Sequence, residues 1–190
     1  MPVTVPGIMG TLLPNLAAVA MLGTWVPKYA RGVALGVSLW IPKVRVTTID
    51  GGTAGAGKNV PLPLVVSTPV LYANIISGMA ANGLTGVSVP ALAMGLSNGL
   101  ATAFLQMLVS TNHPSVGVGS GVAKFFGPPA YSSILQGFNS AGLTGELLPK
   151  KARALGMALN NTFASLIIPI AIVGPPSTSP GTGVGTGSII

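Results

Sequence analysis

Pro128 to Ala152 reads PPAYSSILQGFNSAGLTGELLPKKA, and the chain states that plan three times. Gly-Leu-Thr-Gly at Gly83–Gly86 returns at Gly142–Gly145, and a proline follows each final glycine by four residues, at Pro90 and Pro149. Gly23 and Pro27 stand at the same spacing. Each of these prolines has an alanine three residues on (Ala30, Ala93, Ala152) and a proline twenty-one residues upstream (Pro6, Pro69, Pro128). The step is 63 residues from Pro6 to Pro69 and from Pro27 to Pro90, then 59 to Pro128 and Pro149. Two landmarks agreeing at each step predict an internal triplication.

Working outward, each copy reads as helix, glycine turn, helix, extended segment and glycine-rich strip. In the first, Pro6 to Leu22 is apolar and ends at Gly23, with Pro14 as a kink or restart. Pro27 suits a first turn, Tyr29 to Leu39 follows as helix, and Pro42 stops it. Val44 to Asp50 alternates and is β-branched, which predicts a strand. In the second, helices are expected over Pro69–Ala81, closed by Asn82-Gly83, and over Pro90–Ser110, capped by Ser88 and ended by Asn112-His113-Pro114. In the third they are expected over Pro128–Ala141 and from Pro149 to about Ile168, before a short strand at Ile170–Val173. The fold class is therefore mainly α with short β segments, built as three degenerate αα-hairpin repeats. Units are expected over 1–63, 64–124 and 125–176, with a glycine-rich C-terminal arm over 177–190 that neighbouring chains hold.

Composition sets the limits on function. The chain has 190 residues, 49% hydrophobic and only 6% charged, against about 25% charged in soluble domains. Such a surface is expected to meet neighbouring protein or lipid rather than water alone. Net charge is +7, with Asp50 and Glu146 the only acids, which favours an anionic partner. There is no cysteine, hence no disulfide and no thiolate metal site. Met-Pro-Val-Thr-Val-Pro lacks the basic start of a signal peptide.

Small residues mark the packing faces. Ala91, Gly95, Gly99 and Ala103 recur every four residues and share one helix face. Gly32 and Gly36 in the first copy, and Ala152 and Gly156 in the third, read as the same row. Such faces let backbones approach closely. A glycine inside a helix costs about 0.5–1 kcal/mol against alanine, so these rows are expected to be buried interfaces.

The catalytic patterns fail on inspection. Gly52 to Lys58 fits the P-loop spacing after a strand, but Asn59 replaces the magnesium-binding hydroxyl and Val60-Pro61-Leu62-Pro63 follows where a helix must begin. His113, the single histidine, precedes a proline at an expected helix end. Nothing pairs Asp50 with Glu146 as acid and base, no nucleophile elbow is present, and the ligands for a metal site are too few. No catalytic, cofactor-binding or metal residue is assigned, and no small-molecule substrate is expected.

Lys28 and Arg31 open the second helix of the first copy; Lys150, Lys151 and Arg153 open that of the third. Cations there oppose the helix macrodipole. They read either as a solvated basic end or as contacts to an anion or partner. Aromatic interleaving is poor, so nucleic acid is not the expected partner.

Two readings follow. One is a non-enzymatic subunit of a large assembly that acts by self-association and docking. The other is an integral membrane protein with helical hairpins packed through small-xxx-small faces, since Ala91 to Ser110 is twenty residues without a charge. The uncharged Gly/Ala/Pro/Thr-rich texture, Pro128-Pro129-Ala130 to Gly145, and the tail Val173-Gly-Pro-Pro-Ser-Thr-Ser-Pro-Gly resemble small virion structural proteins of tailed bacteriophages, particularly contractile-tail phages. That resemblance implies a tail, baseplate or capsid-accessory subunit whose partners are copies of itself and other virion proteins, or a virion component that enters the host membrane.

Overall fold

The structure is a computed structural model. It describes residues 3–52, 58–61, 66–106, 108–115, 118–124, 127–163, 167–173 and 181–188, with side chains over 3–44, 66–106 and 130–163. The protein is mainly helical. Among the described residues six α-helices run over Val5–Ala18 (α1), Trp25–Trp40 (α2), Thr68–Ala81 (α3), Val89–Leu105 (α4), Gly127–Ser140 (α5) and Leu147–Phe163 (α6). A 3-10 turn, Ile41–Lys43, follows α2.

Why these segments are helical can be read locally. Thr4 caps α1, its hydroxyl oxygen accepting from the Gly7 amide at 3.3 Å. Pro6 and Pro69 sit in the first turns of α1 and α3, and Pro90 in that of α4, where no amide donor is needed. Pro14 neither ends nor restarts α1, which runs through it. The lost bond is the one to the Gly10 carbonyl, on a side where nothing packs against that glycine. Ser88 occupies the cap position of α4 but makes no side-chain cap bond, because its backbone is already helical rather than extended.

The turns within the three hairpins share one backbone geometry. The first residue in left-handed conformation is Ala20 (φ 61°), Gly83 (φ 73°) or Gly142 (φ 74°), and three residues on come Gly23 (φ 122°), Gly86 (φ 139°) and Gly145 (φ 131°). The amides of Met21, Leu84 and Leu143 return to the carbonyls of Leu16, Met79 and Phe138 at 3.0, 3.0 and 3.1 Å, the six-to-one bond of a Schellman ending. Ala20 is the exception in residue type, since the left-handed region costs a side chain about 1–2 kcal/mol. Ala20→Gly is therefore expected to stabilise the chain by up to about 1 kcal/mol, after the added unfolded-state entropy of glycine is subtracted. Chemical denaturation checks it, and a loss of stability would contradict the geometry.

The helices close into a ring. In α2 against α3, Gly32 faces Met79 and Gly36 faces Ile75. In α4 against α5, Gly95 faces Phe138 and Gly99 faces Ile134. The numbers run in opposite directions, so neighbours are antiparallel and all three hairpin turns lie at one end. The ring closes where the Thr11 hydroxyl of α1 and the Thr162 hydroxyl of α6 lie 2.8 Å apart. Ile8, Leu12 and Leu16 on α1, with Leu71, Ile75 and Met79 on α3, are buried at four-residue spacing. Val33 and Val37, Leu96 and Leu100, and Leu155 and Leu159 supply the interior from α2, α4 and α6. At the far end Trp40 meets Phe104 edge-on at 4.8 Å, and Phe104 meets Phe163 at 5.2 Å.

The backbone beyond the ends of α2, α4 and α6 forms strands: Arg45–Gly52 (β1), Lys58–Pro61 (β2), Leu108–Ser115 (β3), Val118–Lys124 (β4), Ile167–Val173 (β5) and Gly181–Ser188 (β6). They pair antiparallel in the order β2-β1-β6-β5-β4-β3. The sheet thus lies at the end opposite the hairpin turns.

Four expectations change here. Helix α6 ends at Phe163 rather than at about Ile168, and Ile167 and Ile168 pair with Val122 and Gly121 as the start of β5. Helix α4 stops at Leu105, not Ser110, because Leu108 to Asn112 pairs with Ser120 to Lys124. His113 lies within β3 rather than after a helix. The expected C-terminal arm contains β6, which pairs with β1 on one side and β5 on the other within the same chain. Strands alternating glycine with threonine or valine carry little side-chain signal, and their partners are far away in sequence. Residues 53–57, 62–65, 174–180 and 189–190, on which parts of the strip, linker and arm expectations fall, lie outside the described residues.

Candidate functional site

Two constellations emerge: small-residue helix contacts in the ring, and a basic, apolar face at the hairpin-turn end.

A Cβ placed on Gly36 would stand 2.6 Å from the Ile75 Cα, and one on Gly32 2.8 Å from the Met79 Cα. On α4 the corresponding distances are 2.9 Å from Gly95 to the Phe138 Cα and 2.5 Å from Gly99 to the Ile134 Cα. These four glycines lie at contacts inside the chain. Ala103 and Ala152 are buried and Ala91 is half-buried. Gly156 behaves differently: it faces Tyr131 of α5, within its own hairpin, where a Cβ on it would stand 3.1 Å from the Tyr131 amide nitrogen. Gly156 is buried at a contact within its hairpin, whereas Gly36 is buried at a contact between hairpins. Counting back by 59 and 63 puts Gly156 level with Ser97 and Ala34, while Ala154 and Ala158 stand level with Gly95 and Gly99. The partner glycines Gly78 and Gly137 went unread. A Cβ on Gly78 would meet the Gly32 carbonyl at 2.5 Å, and one on Gly137 would fall on the Gly95 carbonyl. Their 59-residue separation was the available signal.

The basic residues gather at the turn end. Lys28, Arg31, Lys150 and Arg153 are exposed, and Lys151 is half-buried. The Lys28 ammonium reaches to 3.8 Å from where a Cβ on Gly83 would lie, so the first and second hairpin turns adjoin. The Lys151 ammonium sits 5.3 Å from the Trp25 ring centre and 5.0 Å from that of Tyr29. These rings are themselves in edge contact at 5.9 Å. Their π-faces stabilise a cation that the helix start disfavours. This is the compensation for Lys151. It was not legible, because Trp25 and Lys151 are far apart in sequence.

Burial lowers the Lys151 ammonium from its usual value of 10.5. Burial also pushes the Tyr29 hydroxyl well up, and that buried oxygen has no hydrogen-bond partner among the described residues. The two signs differ. Unfolded Lys151 holds its proton more tightly than folded Lys151, so stability rises with pH between the lowered value and 10.5. Unfolded Tyr29 ionises first, so stability falls above its usual 10.0. Lys151→Leu should remove the alkaline rise and, by replacing a desolvated charge with apolar surface, raise the midpoint at pH 7. The gain expected is about 1 kcal/mol, or about 2–4 °C at this length. Thermal unfolding across pH checks both; a lowered midpoint would mean the cation–π contact outweighs desolvation.

Apolar side chains share this end. Val87 is 98% exposed, Leu22 73%, Leu147 57% and Trp25 38%. Among the described residues no three His, Cys, Asp or Glu side chains could hold a metal ion. At the P-loop-like stretch, Lys58 opens β2, a strand returning along β1 with Gly51 opposite Lys58, where phosphate binding needs a helix start. Among the described residues no helix is long and apolar enough to cross a membrane, and the Ala91–Ser110 segment is divided between α4 and β3. Comparison with protein-family models, curated proteins and solved structures gives no match for this chain.

Proposed function

We propose that the chain is a non-enzymatic structural subunit of a large protein assembly, a phage virion component of the tail or baseplate, acting by self-association and docking. Its scaffold is a degenerate triplication of a helical hairpin followed by extended backbone. The observation that carries this reading is positional. Steps of 63 and 59 residues link Leu12 to Ile75 and Ile134, Leu16 to Met79 and Phe138, Val33 to Leu96 and Leu155, and Ile41 to Phe104 and Phe163. All twelve are buried. The same steps link the left-handed turn residues Ala20, Gly83 and Gly142.

A threefold plan within one chain suits packing around an axis. Its outward apolar residues, among them Leu39, Met94, Leu105 and Met157 at 41–53% exposure, supply surface for neighbouring subunits to cover. The virion assignment rests on the resemblance in texture. The test is sedimentation and mass photometry of the chain expressed alone without detergent. A discrete soluble oligomer supports the reading, and a stable monomer at high concentration overturns self-association.

A further inference from the structure

We propose that the hairpin-turn end of the bundle is a docking surface for an anionic lipid bilayer. Leu22, Trp25, Val87 and Leu147 belong to the turns and helix starts at one end of the ring, and all four are exposed. Behind them stand Lys28, Arg31, Lys150 and Arg153, all exposed. The depths match a membrane interface. Lys28 and Lys150 lie three residues beyond Trp25 and Leu147, and Arg31 and Arg153 lie six beyond. At about 1.5 Å per residue these are setbacks of about 4.5 and 9 Å. Apolar faces of interfacial helices enter by about 5–10 Å, so the tips reach the acyl boundary while the cations lie among phosphates.

The composition of the face argues for lipid over other polyanions. Five of the chain's nine basic residues are here against one acid, Glu146, which gives the charge complementarity. The protruding residues are aliphatic apart from one tryptophan, the side chain enriched at lipid interfaces. Lys28 and Lys150 are related by the two steps of the triplication, as are Arg31 and Arg153. The second hairpin has Ala91 and Met94 there instead, with Val87 at its tip. Its share of the surface is uncharged, with Thr85 and Ser88 exposed beside Val87, which a bilayer interface accepts and a nucleic acid backbone does not reward. The inference needs no partner protein and stands apart from the assembly reading.

The test is flotation of the full-length chain, or of the oligomer it forms, with vesicles of phosphatidylcholine alone or mixed with phosphatidylglycerol. Flotation is expected with the mixed vesicles only and should fall as salt rises. Lys150→Gln and Arg153→Gln should each lower partitioning about fivefold. Val87→Ser with Leu147→Ser should also lower it, at unchanged net charge and unchanged helical circular dichroism. Brominated lipid should quench Trp25 and spare the buried Trp40, and Trp25→Phe should abolish the quenching. Failure of the folded chain to float with anionic vesicles overturns the proposal. So does full flotation of the serine variant, which would reduce the face to a general polyanion site. If the serine variant instead dissolves an oligomer seen by mass photometry, the face joins copies of the chain and the lipid proposal falls, while the assembly reading stands.

Discussion

Gly99→Ala should destabilise the chain by about 3 kcal/mol, and Gly95→Leu with Gly99→Leu should leave no folded protein. Overpacking ordinarily costs about 1–3 kcal/mol because side chains shift to relieve it. Here the obstacle is backbone. The new methyl carbon would stand 2.5 Å from the Ile134 Cα and 2.8 Å from the Ser133 carbonyl oxygen, and relief requires moving α5 as a unit. Gly137 and Gly95 already bring the two backbones together one turn further along, so little slack is left. Gly10→Ala is the control. It is also helical, but nothing lies within 4 Å of its added Cβ, so it should gain about 0.5–1 kcal/mol. Urea denaturation of the two variants separates close packing from helix propensity. Equal effects at Gly10 and Gly99 would mean that α4 and α5 are not held at this distance.

The positions of the helices were largely legible because prolines and glycines punctuate them at fixed offsets. Pro69, Pro90 and Asn82-Gly83 placed α3 and the start of α4 to within a residue or two. The end of α4 was not legible. Met107, Leu108 and Val109 continue an apolar run, and a short apolar run reads equally as helix or buried strand. What separates them is pairing with Ala123 and Lys124, a non-local fact. The candidate contacts show the same division. Gly32, Gly36, Gly95 and Gly99 announce themselves by four-residue spacing, whereas Gly78 and Gly137 are lone glycines in their helices' last turns. The apolar turn end was missed because Leu22, Trp25, Val87 and Leu147 belong to three separate hairpins and form a surface only once the ring closes.

Phe104→Ala should cost about 4–5 kcal/mol, the largest loss expected from any single truncation in the core. Removing a buried phenylalanine costs about 3–5 kcal/mol through lost transfer energy and the cavity left behind. Phe104 is fully buried and stands between two aromatic neighbours, Trp40 at 4.8 Å and Phe163 at 5.2 Å. Each edge-on pair adds about 0.5–1.5 kcal/mol beyond area. The cavity cannot collapse easily, because Trp40 is tethered: its indole N–H donates to the Ser67 carbonyl at 3.1 Å. Ser67 immediately precedes α3, on the path back from β2. Loosening Trp40 therefore releases the junction between the sheet and the first helix of the second hairpin. Beyond the loss of global stability, hydrogen exchange should show β1 and β2 amides opening in Phe104→Ala at conditions where α1 and α5 remain protected. A cost near 1 kcal/mol with uniform exchange would mean that the aromatic end repacks freely and the sheet is anchored elsewhere. A large cost with selective opening would make the aromatic end the joint between the helical ring and its strands.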